Sequence, residues 1–289
     1  MSKNCRSCKA KKKLKFIDLK KSPVSNAYIE KKNLNKKEKI FPLKTFMCKK
    51  CKLVQTEDYV KSNSIFNKDY IYLSSFIKTL VDESKSLVKK MIREFNIGKN
   101  DKIIEVAAND GYLLQFFKKK KITCLGVDPS TKAVKIARNK GIKMVEDFFS
   151  YSLSKKIKFK YGKFNYLIAK NVLAHVPNLD DFVHGVANIL DEKGVACFEF
   201  QYLYKLIKKN AFDQIYHEHF SYISLESAIN IFKRHNLIIF NCEETSAQNG
   251  SLRIFVKKQK NYSINNSENV KKILNKEKKE NFMTTKNIR

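Results

Sequence analysis

From residue 103 onward, short apolar runs alternate with stretches whose apolar positions recur every three or four residues. Ile103, Ile104 and Val106 open the first run, which closes on the small pair Ala107 and Ala108. Leu113, Leu114, Phe116 and Phe117 follow at helical spacing. The pattern predicts a strand over 103–107, a helix over 111–119, a strand over 122–127, a helix over 130–139 and a strand over 142–145. A strand over 166–169, a helix over 178–190 and a strand over 194–200 complete it. Alternation of this kind implies a parallel sheet with right-handed crossovers, so the expected fold class is α/β and doubly wound. Ligands of such sheets sit beyond the carboxyl ends of the strands. Upstream, Phe76, Leu80, Ser84, Leu87, Val88, Met91 and Phe95 repeat with the helical period, and Asn96-Ile97-Gly98 is a helix stop.

The first strand runs into Asn109-Asp110-Gly111 and then directly into a helix. Small residues at such a turn let a ligand approach the backbone, and the free N–H groups of the helix start favour a polar or anionic group. Asp128, followed by Pro129, ends the second strand, where a carboxylate can accept from both hydroxyls of a ribose. Asp147 and Phe148 follow the third strand, where an adenine could stack and donate its amino group. A capped loop with one buried Phe reads equally well there. The spacing resembles the pattern of S-adenosylmethionine (SAM) methyltransferases, Glu-x-Gly-x-Gly-x-Gly, with Glu105, Ala107, Asn109 and Gly111 at those places. The resemblance implies SAM as cofactor, held by Glu105, Ala107, Asn109, Asp110, Gly111, Asp128, Pro129, Asp147 and Phe148.

Cysteine adds a second feature. Of seven Cys, four form Cys5-x-x-Cys8 and Cys48-x-x-Cys51. Two such knuckles can close a tetrahedral thiolate site around structural Zn²⁺, and with all four positions filled by Cys none is left open for catalysis. A pair of disulfides is the alternative, disfavoured in a reducing compartment. Lys9 to Lys13 and Lys31 to Lys39 read as solvated loops of that lobe. Cys124 and Cys197, inside strands, read as small buried hydrophobes. The expected domains are a zinc-binding lobe over 1–60, a helical linker over 61–100, a methyltransferase domain over 101–258 and a charged tail over 259–289.

The 289-residue chain carries 59 Lys and Arg against 28 Asp and Glu, a formal charge of +31. That excess invites a nucleic-acid partner. Arg, however, stands only at positions 6, 93, 138, 234, 253 and 289, and the Lys are spread along the chain instead of forming a stripe. Nucleic-acid readers favour Arg forks, so a solvated surface that attracts a small anionic substrate is the expectation. No apolar run approaches the ~20 residues of a membrane span, and Met1 is not followed by a signal-peptide core. A cytoplasmic location is expected, and the oligomeric state is left open.

Candidate chemistry lies in two segments. Asn171 and His175 follow the fourth strand and sit over the same crevice; Glu199 falls near the end of the fifth. The densest polar cluster is Phe212-Asp-Gln-Ile-Tyr216-His217-Glu218-His219-Phe220-Ser-Tyr222. His at i and i+2 point apart on a strand or a helix, so a metal site fits poorly there. General acid–base work by a His tuned near neutrality by a carboxylate neighbour fits better.

These segments resemble the sugar C-methyltransferases that act on nucleoside-diphosphate 4-keto-deoxysugars. The carriers span nearly all of residues 1–258: Cys5-Arg-Ser-Cys8, Ser22-Pro-Val-Ser-Asn26, Phe41-Pro-Leu, Cys48-Lys-Lys-Cys51-Lys-Leu-Val-Gln55, Tyr70-Ile-Tyr-Leu-Ser-Ser75, Glu105 to Gly111, Asn171-Val-Leu-Ala-His175, Phe212 to His219 and Asn249-Gly-Ser-Leu-Arg253. The resemblance implies a Rossmann-like SAM-dependent methyltransferase sheet behind a zinc-binding lobe. It implies His219 as a base that enolises a nucleotide-sugar substrate. Glu218 and Tyr216 would orient the sugar, and Tyr70 or Tyr72, Asn171 and His175 would complete the pocket. Members usually continue into a second α/β domain, and here the chain ends at Arg289 after a Lys/Glu/Asn-rich helical tail, the expected start of that domain. A SAM enzyme with another acceptor, RNA included, and a non-catalytic nucleotide-sugar-binding module remain as alternatives.

Overall fold

The structure, a computed structural model, describes residues 4–11, 13–25, 29–59 and 73–280. Two sheets organise the chain. The larger has seven strands: β4 (Lys102–Val106), β5 (Thr123–Asp128), β6 (Lys143–Glu146), β7 (Phe164–Lys170), β8 (Leu190–Gln201), β10 (Leu237–Thr245) and β11 (Ser251–Lys258), in the spatial order β10-β11-β8-β7-β4-β5-β6. Strands β4 to β8 pair in parallel, and β11 runs antiparallel to both its neighbours. The expected parallel sheet is therefore mixed at one edge. The order reverses at β4, with β5 on one side and β7 on the other, which opens the crevice where doubly wound sheets bind ligands.

Burial explains the runs. Ile103 and Ile104 on β4, and Leu167, Ile168 and Ala169 on β7, are all 0% exposed, as strands covered on both faces must be. One face is covered by α1 (Lys78–Phe95), α2 (Leu114–Lys119) and α3 (Thr131–Asn139). Leu87, Val88 and Met91 of α1 pack in one cluster with Ile103 and Phe255, so this helix belongs to the sheet's own core. Asn96, with φ 51°, ends α1 in the left-handed conformation. The opposite face carries α5 (Leu179–Ile189) and α7 (Leu225–Lys233), preceded by α4 (Tyr151–Tyr161) and α6 (Leu203–Lys208). Helix α4 was not anticipated. The last helix, α8 (Glu268–Lys279), packs beside α7 and β10 and carries a buried Glu277.

The smaller sheet has the order β1-β2-β3-β9, from β1 (Lys13–Pro23), β2 (Ile40–Cys48), β3 (Val54–Thr56) and β9 (Ser221–Tyr222). Its first three strands belong to the cysteine-bearing lobe, and β9 comes from the segment just after His219. Val54 pairs with Tyr222 and Gln55 with Ser221, antiparallel. Lys13, expected in a loop, is the first residue of the eleven-residue β1. Among the described residues no helix is long and apolar enough to cross a membrane.

Candidate active site

A cavity of about 880 Å³ opens over the carboxyl ends of β4, β5, β7 and β8. Ala107, Asn109, Asp128, Pro129, Asp147 and Phe148 line one end of it. The turn after β4 holds Ala107 at φ 58° and Asn109 at φ 48°, a backbone region that ordinarily favours glycine. The glycines missing from the motif are thus replaced by residues that keep the glycine-like path. Asn109 Oδ1 accepts from Ser74 N at 2.9 Å. Gly111 has φ 75°, and a Cβ there would lie 2.4 Å from Ile142 Cδ1. Glycine is favoured there by its positive φ and by the close approach of the turn to the α3–β6 connection.

Asp128 accepts backbone N–H groups from Asn109 at 2.8 Å on Oδ2 and from Ser130 at 2.9 Å on Oδ1. Burial pushes its pKa up to about 6, against the pull of those bonds. Each oxygen keeps a lone pair for a hydroxyl donor. Glu105, Asp110 and Gly111 do not line the cavity. Glu105 is fully buried, its two oxygens have no partner among the described residues, and burial holds its pKa well above the carboxylate range. Asp110 is also buried and accepts from Lys140 Nζ at 3.2 Å. These three support the turn from beneath.

The opposite end is built by Asn171, His175, Tyr216, Glu218 and His219. Asn171 leaves β7 with φ 52°, and its Oδ1 has no partner among the described residues. His219 is 8% exposed; its Nδ1 lies 3.0 Å from the Gln214 carbonyl and its Nε2 2.9 Å from the Tyr216 hydroxyl. A carbonyl only accepts, so Nδ1 carries the hydrogen and Nε2 accepts from tyrosine. His175 repeats the arrangement, Nδ1 donating to the Glu218 carbonyl at 2.9 Å, and the two rings stand 4.8 Å apart. Burial lowers His219 to about 3 and His175 to about 4. This corrects the expected tuning toward neutrality by a carboxylate: burial, and then the His175 ring, push His219 down, against the upward pull of the Gln214 carbonyl. Next to it, His217 faces away and meets the Pro42 carbonyl at 3.1 Å. Tyr70 and Tyr72 lie outside the described residues.

Sequence reasoning gave no role to Lys170, which also lines the cavity. Its side chain is fully buried, bonds Glu83 and lies 3.4 Å from Glu199. Arg253 donates to Glu199 at 2.9 Å and to Glu243 at 2.7 Å, and also meets Glu83; Lys90 pairs with Glu243. Three carboxylates thus offset three cations beneath the cavity and tie α1 to β7, β8, β10 and β11. A lysine closing the apolar run Leu167-Ile168-Ala169 was the available signal. Gln201 and Gln214, joined at 3.0 Å, and Gln248 and Asn249 add an amide-lined rim.

The four cysteines are brought together as expected. Their Sγ atoms all lie within 4.8 Å of one another, with Cys5–Cys51 and Cys8–Cys48 at 3.5 Å. Zn–S bonds of ~2.3 Å need S···S separations of ~3.8 Å, which this set meets with small shifts. The two knuckles are built alike. Lys9 N donates to Cys5 O and Cys5 N to Ala10 O; Lys52 N donates to Cys48 O and Cys48 N to Leu53 O. Lys9 and Lys52 both sit near φ 60°.

A doubly wound sheet with its cavity at the strand switch point, preceded by a four-cysteine lobe, is the Rossmann-like architecture of SAM-dependent methyltransferases. The chain belongs to the family described as "Methyltransferase domain", which matches residues 78–240, and residues 5–66 match the family described as "Putative zinc binding domain". It is similar to the C-methyltransferase NovU of Streptomyces niveus, 26% identical over 251 residues, or 87% of this chain. It spans 60% of the length of that relative. Magnesium protoporphyrin IX methyltransferase from Synechocystis PCC 6803, solved with bound SAH, shares the fold at TM-score 0.50 with 14% identity, over 68% of this chain and 92% of that one.

Proposed function

We propose that the protein is a SAM-dependent C-methyltransferase acting on a nucleoside-diphosphate 4-keto-deoxysugar, with methyl transfer to C3 through an enolate. The observation that carries the reading is the neutral His219–Tyr216 pair, facing the same cavity as Asp128 and Asp147. An unactivated sugar carbon must become a carbanion equivalent before it can attack a sulfonium methyl. The 4-keto group acidifies the C3 hydrogen, so the protein needs a base, a group for the enolate oxygen and alignment of two substrates.

Asp128 would hold the ribose of SAM, Asp147 and Phe148 the adenine, and the turn Ala107 to Asn109 the amino-acid end. SAM supplies the electrophilic methyl. His219 Nε2 is the proton acceptor: the Gln214 carbonyl fixes the hydrogen on Nδ1, and burial keeps the ring neutral at physiological pH. Tyr216 already donates to Nε2, so its hydroxyl lies on the proton's path and can turn toward the enolate oxygen once Nε2 is protonated. A developing enolate would raise the low imidazole pKa by opposite charge. His175, Asn171 and Glu218 orient the sugar, and Tyr70 or Tyr72 would complete that pocket. The cysteines would hold Zn²⁺ as a structural ion in a reducing compartment such as the cytoplasm, and the metal takes no part in the transfer.

Incubation with a dTDP-4-keto-6-deoxysugar in deuterated water should exchange the C3 hydrogen, and labelled SAM should yield a labelled sugar. His219→Ala should abolish the exchange while calorimetry shows SAM still bound. Exchange retained in that variant would reassign the base. A wild-type protein that binds SAM yet labels no keto-sugar would overturn the substrate class.

A further inference from the structure

Arg6 lies between the first two cysteines, in the knuckle Cys5-Arg6-Ser7-Cys8, and its backbone N–H donates to Gln55 Oε1 at 2.9 Å. Its side chain does not point to solvent: the residue is 5% exposed. One guanidinium nitrogen donates to the Pro177 carbonyl at 2.9 Å. Another donates to the Thr56 carbonyl and to Asp58 Oδ1, both at 2.8 Å. The guanidinium also stands 5.1 Å from the centre of the Phe220 ring. One side chain therefore touches three segments: the end of the loop that carries Asn171 and His175, strand β3 of the lobe, and the residue immediately after His219.

Those segments are already linked around it. Phe220 N donates to Ala174 O at 2.7 Å, and Thr56 N donates to Phe220 O at 3.1 Å. Thr56 Oγ1 donates to His219 O at 3.3 Å. His175 Nδ1 meets the Glu218 carbonyl. The contacts close a ring from Arg6 to Pro177, along to His175, across to Glu218 and His219, on through Phe220 to Thr56, and back to Arg6. Both imidazoles sit on this ring. The turn bearing His219 is anchored in the smaller sheet through β9 and has no strand of its own in the larger one.

We propose that Arg6 is a positioning residue: it sets the spacing of the His175 and His219 rings and fixes His219 Nε2 toward the cavity. This rests on the function proposed above. Arg suits the task because its planar fork reaches carbonyls in different directions at once. A lysine keeps the charge but donates from a single point, so it can serve one of the three acceptors well. A shift of about 1 Å in a base costs about a hundredfold in rate.

The test compares wild type with Arg6→Lys and, as a milder release that leaves the knuckle intact, Asp58→Asn, all metal-loaded. Imidazole nitrogens are observed by NMR after ¹⁵N-histidine labelling, and kcat and KM are measured with a dTDP-4-keto-6-deoxysugar and SAM. In Arg6→Lys the His219 Nδ1–H signal should move or broaden, kcat should fall about 10- to 100-fold, and KM for SAM should stay within about twofold. Metal content by mass spectrometry and SAM affinity by calorimetry should match wild type. Asp58→Asn should show the same changes in smaller degree. An Arg6→Lys protein with wild-type His175 and His219 signals overturns the proposal, as does one whose kcat loss is matched by lost metal or lost SAM binding. If wild type turns over no keto-sugar, the substrate reading fails, and the imidazole signals still decide the role of Arg6.

Discussion

Asp128 ends β5 with a carboxylate pinned by two backbone N–H groups, yet burial raises its pKa to about 6. Only the ionised form accepts from both ribose hydroxyls, so SAM affinity should be constant above pH 7 and weaken as pH falls through 6. The loss approaches about tenfold per pH unit once the carboxyl is protonated. Calorimetry from pH 5 to 8 measures this, and Asp128→Asn should flatten the profile. The two imidazoles give stability its own pH dependence. Unfolded histidines titrate near ~6.5, whereas His175 and His219 do so at about 4 and about 3 because they are buried. Below pH 6.5 the unfolded chain therefore binds protons that the folded chain refuses. The part of stability that these two rings contribute is complete above that pH and declines as pH falls toward 3; the buried carboxyls Glu105, Asp128 and Glu277, all raised above their unfolded values, act in the opposite sense. Between pH 7 and pH 5 the urea midpoint of the wild type should therefore shift downward relative to that of a His175→Asn/His219→Gln double variant, and equal pH dependence in the two would refute this.

At the scale of elements, α8 shows what a charged segment can hide. Expected as part of a charged tail, its Lys- and Glu-rich sequence carries one inward carboxylate. Glu277 Oε1 accepts from Leu225 N at 2.6 Å and from the Tyr202 hydroxyl at 2.7 Å, and Oε2 accepts from Glu226 N at 3.0 Å. A side chain of α8 thus satisfies the open N–H groups at the start of α7, where helix N-termini favour negative charge. Glu277→Ala would strand two backbone donors and a buried phenol, each costing ~1–3 kcal/mol, and should destabilise the protein by about 3 kcal/mol or more in urea unfolding. Glu277→Gln, which keeps one oxygen, should cost less. The strands β4 to β8 were legible because covered strands are continuous apolar runs. Helix α4 was not, since only Leu153, Ser154 and Ile157 face inward while Phe159 is 96% exposed, which breaks the stripe. The direction of β11 is not encoded in alternation, which looks the same in parallel and antiparallel strands. A two-residue strand such as β9 leaves no period at all.

Across the whole molecule, the two sides of the cavity depend unequally on the two sheets. The Asp128 end is carried by the larger sheet alone. At the other end Asn171 and His175 extend from β7, while the turn bearing His219 is tied to the smaller sheet through β9 and the Thr56 contacts. The residues at both ends were legible as motifs because their chemistry constrains their type. The link between them was not, because it runs through backbone pairing over 160 positions and through Arg6, which reads locally as one more cation beside a knuckle. The division has a measurable consequence. The lobe buries Leu43, Met47, Leu53 and Val54 together with Cys5, Cys48 and Cys51, so three of its buried core side chains are candidate metal ligands. A metal bound to those thiolates would supply much of the free energy that orders β1 to β3. Stripping metal with a chelator should therefore remove hydrogen-exchange protection from β1, β2, β3 and β9 and leave it in β4, β5 and β7. C3 exchange of the keto-sugar should disappear, while SAM binding stays within about threefold of the metal-loaded value, an RT ln 3 difference under ~1 kcal/mol. Parallel loss of protection in both sheets would mean that the lobe and the methyltransferase sheet unfold as one unit, and that metal acts on overall stability instead of on the placement of His219.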